Sequence, residues 1–179
     1  MEKNIGKFTV KTLVDNYPFN PRNECDNLGT MLCFHKRYDL GDKHEYNPSS
    51  YFSQQDLKKA ISKKENVGVM LPIYMYDHSG ITIKTTPFGC PWDSFLVGYI
   101  CISKEKIREE FSCKLITKKV LEKVTECLIS EVATYNAYLT GEMYRWVVLD
   151  GENEVECGDG YTDENLCLED GVSTAKYLS

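Results

Sequence analysis

No stretch of this 179-residue chain approaches the roughly 18 consecutive apolar residues of a membrane-spanning helix. The opening MEKNIGKFTVKTLVD alternates charged and apolar residues and holds no apolar run of signal-peptide length. Neither export nor anchoring is therefore expected, and the expected compartment is the cytoplasm. Cys-x-x-Cys pairs are missing, which excludes a paired zinc-knuckle framework. A phosphate-binding glycine loop, HExxH and GxSxG are missing too. Their absence removes P-loop nucleotide hydrolysis, zincin chemistry and the hydrolase nucleophile elbow. Gly158-Asp159-Gly160 lies in an acidic stretch but lacks the ligand spacing of a calcium loop.

A basic excess is also lacking. The chain carries 21 Lys+Arg against 27 Asp+Glu, for a net charge of −6. The acid is unevenly placed: residues 1–64 have 11 basic and 8 acidic residues, whereas residues 141–179 have 2 and 10. A conventional DNA-binding domain has a basic footprint, so this balance argues against one.

What remains is the composition of a folded protein, 42% hydrophobic and 27% charged. The length suits one core, and the chain reads as a single domain, 1–179, with an acidic C-terminal segment, 141–179. Eight cysteines are scattered through it. In a reducing compartment they stay free thiols, and Cys101 and Cys127, on apolar faces, are expected in the core.

The patterning predicts strands at 6–14 and 29–37, with a polar loop from Asn16 to Asn27 between them. Ser53 is placed to cap a helix SQQDLKKAISKKEN, with Asp56 in a capping-box position. Val67–Tyr76 reads as a buried strand in which Pro72 implies an edge or a bulge. Asp77-His78-Ser79-Gly80 turns it into a hairpin with 81–86. After a loop containing Pro87, Gly89 and Pro91, a strand is expected at 95–102, then a short helix capped by Ser103. A long helix from Thr117 to Thr140, ended by Gly141, has apolar residues at 3–4 spacing. A hairpin across Asp150-Gly151 and a helix after Leu168 complete the chain. The fold class is α+β, a mostly antiparallel sheet with helices packed on one face.

Three segments concentrate reactive side chains. On a strand, the period of two puts Cys33, His35 and Arg37 on one face; Asp77-His78 caps a hairpin; Cys90-Pro91-Trp92-Asp93-Ser94 lies in a loop. As a metal site, Cys33, His35, His78 and Cys90 would make a two-Cys, two-His zinc shell, at non-standard spacing. As a thiol hydrolase, Cys90 would be the nucleophile, His35 or His78 the base, and Asp93 or Asp77 the orienting acid. The plainer expectation is that the histidines satisfy hydrogen bonds in turns, that Trp92 plugs the core, and that no cofactor is bound. In the simplest sheet, His35, Asp77, His78 and Cys90 come together.

The segments DNLGTMLCFHKRYDLGD (26–42), LPIYMYDHSGITIKTTPFGCPWDS (71–94) and VGYICISKEKIREEF (97–111) resemble a family of small proteins common in bacteriophage and prophage genomes. The likeness runs over most of residues 20–150, and the YDHSG and PFxCPWDS segments are its most specific parts. Where the family pattern has Trp before Asp26 and Gly-Gln after Ser94, this chain has Cys25 and Phe95-Leu96. The resemblance implies a mobile-element origin, a host bacterial cytoplasm and a kinship with inhibitors of host defence, including anti-restriction and anti-CRISPR proteins. Independently, an acidic surface suits the basic nucleic-acid channel of a nuclease. The expected function is thus an inhibitor that binds a host defence nuclease, with a type II CRISPR effector and its guide RNA as the candidate partner. Its contact residues would be Glu152, Glu154, Glu156, Asp159, Asp163 and Glu164. The alternatives are a small phage hydrolase or metal-dependent enzyme using His35, His78, Cys90 and Asp93, and a nucleic-acid-binding accessory protein using the basic N-terminal third.

Overall fold

A computed structural model describes residues 1–90 and 92–179. Pro91, part of the expected loop, lies outside the described residues. The elements run β1 (Glu2–Ile5), β2 (Phe8–Val14), α1 (Pro21–Glu24), β3 (Thr30–Cys33), a 3₁₀ turn (Pro48–Ser50), α2 (Gln54–Lys64), β4 (Val67–Asp77), β5 (Ile81–Lys84), β6 (Ser94–Ser103), α3 (Lys104–Glu110), α4 (Lys118–Thr140), β7 (Tyr144–Asp150), β8 (Asn153–Tyr161) and α5 (Glu164–Leu178). The fold is α+β. Its strands form two four-stranded antiparallel sheets, ordered β1-β2-β7-β8 and β3-β6-β4-β5, where one sheet was expected. The chain divides into two compact units, residues 1–21 with 137–179, and residues 22–136.

The first unit joins both ends of the sequence. The expected strand 6–14 is preceded by β1, and the two make a hairpin at Gly6, whose φ of 58° suits a residue without Cβ. β2 then pairs with β7 along its whole length, Phe8 opposite Asp150 and Val14 opposite Tyr144. On the face they share, Phe8, Val10, Trp146 and Val148 pack against Cys167, Val172 and Ala175 of α5. This helix starts earlier than expected because Asp163 caps it, its carboxylate accepting from the N–H groups of Asn165 and Leu166. Gly171 lets α5 lie close to the sheet: a Cβ there would come 2.8 Å from Val10 and 3.0 Å from the Trp146 ring. The Trp146 indole donates to Tyr161 Oη and Asp170 Oδ2, both at 3.1 Å, and Tyr161 donates to the same carboxylate at 2.5 Å. Burial and that bond to Asp170 hold the Tyr161 phenol above its ordinary range.

In the second unit, β6 lies between β3 and β4, and its residues from Val97 to Ile102 are buried. Its alternation serves two cores. Tyr99 and Cys101 face α2, joining Leu32, Leu57 and Ile61. Ile100, on the opposite face, meets Leu128 of α4 beside Gly29. Helices therefore cover both faces of this sheet, where one covered face was expected, because α2 and α4 each carry an apolar stripe. The stripe on α4 is Val124, Leu128, Val132 and Tyr135. Cys127 falls outside it and is exposed, correcting its expected place in the core. Ser53 and Ser103 cap α2 and α3 as expected. Pro72 sits where β4 has only β6 as a neighbour, since β5 pairs no further than Tyr74.

One polar cluster holds this unit's loops. The Arg22 side chain, 1% exposed, spends its five N–H donors on Asp42 (2.9 and 2.5 Å), Asn27 Oδ1 (2.8 Å), Glu131 Oε2 (2.8 Å) and Gly29 O (2.7 Å). Glu131 also accepts from the N–H groups of Leu28 and Gly29, and Asp42 from that of Met31. Burial pulls the guanidinium pKa down, but these two carboxylates outweigh it and leave it above the ordinary value.

Candidate functional site

The reactive residues singled out in the sequence lie in the second unit, at the far end of the β4–β5 hairpin, but they do not form one centre. β3 ends at Cys33, short of the expected 37, so the shared face of Cys33, His35 and Arg37 does not exist. His35 instead begins a turn in which its Nδ1 accepts from the N–H groups of Arg37 and Tyr38, at 3.2 Å each. Its ring stacks on Tyr38 and Phe95. Phe95 pairs across with Met75, on the face of β4 that also carries Asp77. His78 stacks on Tyr76, which faces the other way. The two histidines thus project from opposite faces of the sheet, whereas the Asp77 N–H donates to Asp93 O at 3.2 Å, so Asp93 links Asp77 to Cys90. Asp77 does meet a partner from the 35–38 turn: Arg37 contacts its carboxylate at 2.5 Å.

Cys90 Sγ lies 3.8 Å from Asp93 Oδ2, so the thiol faces a carboxylate where a hydrolase needs an imidazole. Cys33 is buried, with its pKa pushed up to about 12 by burial and by Asp42, and is a packed thiol. Among the described residues no group of three or more His, Cys, Asp or Glu is arranged to hold a metal ion. The proposed zinc shell of Cys33, His35, His78 and Cys90 is therefore not assembled. Trp92 is 90% exposed and does not plug the core. The expectation that histidines satisfy turn hydrogen bonds holds for His35.

The acidic residues fall in the first unit, on and around its edge strand. This unit carries 5 basic and 12 acidic residues, a charge of −7, and the second carries 16 and 15, a charge of +1. β8 pairs only with β7, and Asn153 to Cys157 are all exposed. A register shift between Val148 and Leu149 sets Glu154 opposite Leu149 and Glu156 opposite Val148. The two glutamates therefore point to opposite faces, and carboxylates flank the edge on both sides. Glu154 pairs with Arg145 at 3.1 Å. Two of the six expected contact residues have internal work: Asp163 caps α5, and Glu164 binds the N-terminal ammonium and Thr12 Oγ1, both at 2.6 Å. These bonds hold the Glu164 pKa below its usual range. Glu152, Glu156 and Asp159 remain as exposed carboxylates on this edge.

Gly158 and Gly160 in the same strand answer to packing. A Cβ on Gly158 would sit 2.6 Å from the Trp146 ring, and one on Gly160, at φ 83°, 2.9 Å from Phe19.

No family model, no curated protein and no solved structure matches this chain.

Sequence reasoning missed a further feature of the second unit. The segment 39–52, read as irregular, folds over β3 and β6 and walls a cavity of about 360 Å³. His44 anchors that wall: its Nε2 donates to Cys33 O at 2.8 Å, and its ring meets Phe34 edge-on. Since the carbonyl can only accept, Nε2 carries the donated proton, and the buried Nδ1 has no hydrogen-bond partner among the described residues. Tyr46 donates to Glu65 Oε1 at 2.5 Å across the cavity mouth. Alternation of apolar residues could not flag this segment, because it is neither strand nor helix.

Proposed function

We propose that this protein is an inhibitory binding protein of mobile-element origin. It docks its acidic edge on the basic nucleic-acid channel of a host defence nuclease, with a guide-loaded type II CRISPR effector as the candidate partner, in the bacterial cytoplasm. The observation that carries this reading is the segregation of charge: −7 on the unit ending in the β8 edge, against +1 on the other. Carboxylates on both sides of an exposed strand present negative charge edge-on, and alternate residues of a strand stand about 7 Å apart. Such a surface steers association with a basic groove and competes with phosphates there. No helix among the described residues is long and apolar enough to cross a membrane.

The enzymatic alternatives draw less support, since Cys90 Sγ faces the Asp93 carboxylate and no group of three or more metal-ligating side chains is arranged among the described residues. The nucleic-acid-binding alternative loses part of its basis, because residues 1–21 of the basic third belong to the acidic unit. A nuclease-protection assay with two sets of variants tests the proposal. Changing Glu152, Glu156 and Asp159 to Lys should abolish protection at physiological salt, and Cys90→Ala with His78→Ala should leave it intact. The reverse ranking would sink the proposal in favour of a hydrolase.

A further inference from the structure

Of the four outer strands in the two sheets, β8 alone is both long and open. In the second unit the Met31 backbone of β3 is taken: Asp42 N–H donates to Met31 O at 2.8 Å, and the Asp42 carboxylate accepts from Met31 N–H at 2.7 Å. On β5 the Ile83 N–H donates to Asn136 Oδ1 at 2.7 Å. In the first unit β1 is four residues long, whereas β8 has nine and is exposed throughout Asn153–Cys157. Alternation across an antiparallel sheet sets which backbone groups face outward. Thr12 gives its N–H to Met1 O on the β1 side, so Trp146, opposite Thr12, turns its backbone to β8, and Val147 turns to β2. Cys157, opposite Val147, therefore directs its N–H away from the sheet, where it meets the Glu156 carboxylate at 3.4 Å. Val155, 46% exposed, has no partner in the register. Among the described residues Arg145 is the only cation paired with this edge, on Glu154 at 3.1 Å, and Glu152, Glu156 and Asp159 have none.

We propose that β8 is a strand-addition site for an extended segment of the partner protein, which carries Lys or Arg on both faces and pairs its backbone with Asn153–Cys157. An open edge is a template for another chain, and charge decides which chain. Two copies of β8 laid together would set carboxylates against carboxylates, whereas a cationic strand sets opposite charges across from one another. Glu154 and Glu156 point to opposite faces, so the added strand meets an acid on each side. The Cys157 N–H exchanges a long bond to a neighbouring side chain for a carbonyl of the added strand. Five residues of strand span about 17 Å, enough for several such bonds. This inference rests on the reading of the acidic edge for the sign of the partner's charge, and it adds a backbone pairing that charge alone does not require.

The probe is the end-capped peptide Val-Lys-Lys-Val-Lys-Lys-Val, whose lysines fall on both faces when extended, followed by amide chemical shifts and hydrogen exchange of the intact chain. Its fully N-methylated counterpart keeps every charge and loses every backbone donor. The unmodified peptide should bind saturably below about 1 mM, with the largest shifts in Asn153–Cys157 and slowed exchange of the Cys157 amide. N-methylation should weaken binding by at least about tenfold, because several backbone hydrogen bonds are lost together. Changing Glu152, Glu156 and Asp159 to Lys should weaken the unmodified peptide by a similar factor. Absence of saturable binding by about 10 mM, or an unprotected Cys157 amide in the bound state, overturns the site. Equal affinity for the methylated peptide overturns strand addition and leaves the acidic edge as a purely electrostatic surface. Peptide binding that persists while the protein fails to compete with DNA on the effector overturns the nuclease reading and upholds strand addition.

Discussion

Replacing Arg22 with Met tests the energetics of the second unit most sharply. Met fills a similar space with apolar atoms and removes all five hydrogen bonds at once. What it leaves behind decides the magnitude. Asp42 and Glu131 are 22% and 15% exposed, and each would lose the guanidinium that neutralises it. Breaking a buried charge pair by removing one partner costs about 3–5 kcal/mol, mainly the desolvation of the charge left unpaired. The backbone bonds from Leu28, Gly29 and Met31 to the same carboxylates persist and keep the loss within that range. For a unit spanning residues 22–136, roughly 4 °C is lost per kcal/mol, so its melting temperature should fall by about 12–20 °C. Arg22→Lys restores the charge but has three donors on a point-like head, so it should recover only part of the loss. Urea denaturation followed by far-UV circular dichroism measures both variants. A loss below about 1 kcal/mol for Arg22→Met would refute the view that this cluster holds the loops of the unit.

Gly98→Ala should destabilise by more than a usual core change, because its Cβ would come 2.0 Å from Leu32 O and 2.9 Å from Cys33 Cα; a variant that melts like the wild type would remove β3 from its place beside β6. Thiol labelling of the native protein should be fast at Cys25, Cys127 and Cys157 and slow at Cys33, Cys101 and Cys167, as read by peptide mass mapping; fast labelling of Cys33 would show that its site is open. Alkali adds a signed test. The thiol pKa values of Cys33 and Cys101 are raised from 9.0 to about 12 and about 11 by burial, so the folded chain holds these protons more tightly than the unfolded one. Their contribution is fully present below pH 9 and is lost as pH rises towards 11 and 12, so stability should decline over that interval, and less so in a Cys101→Ala background.

Local signals were the legible part of the sequence. Ser53 and Ser103 act as caps, Ser79 and Gly80 turn the β4–β5 hairpin with positive φ, and the apolar stripe of α4 is where its spacing puts it. Each depends on neighbours a few residues away. Pairing between β2 and β7, some 135 residues apart, leaves no local trace, so the two-sheet arrangement could not be read. Arg22 was hidden for a similar reason: it lies in a polar stretch that reads as a loop, and its partners Asp42 and Glu131 are remote in sequence. The site readings failed where they extended strand periodicity too far. β3 has four residues where the pattern predicts a strand over 29–37, so the pleat that would carry His35 ends before it. The acidic edge was legible as charge, whereas the register shift that splits Glu154 from Glu156 was not.

The central claim is that the acidic edge and nucleic acid occupy the same channel of the partner. Fluorescence anisotropy of labelled target DNA on a guide-loaded type II effector tests it most directly, with the protein titrated in at several salt concentrations. Competition should be complete, should weaken as salt screens the carboxylates over a Debye length of about 8 Å at physiological strength, and should be lost when Glu152, Glu156 and Asp159 are changed to Lys. A stable ternary complex of protein, effector and DNA, or competition unaffected by those three changes, would contradict it.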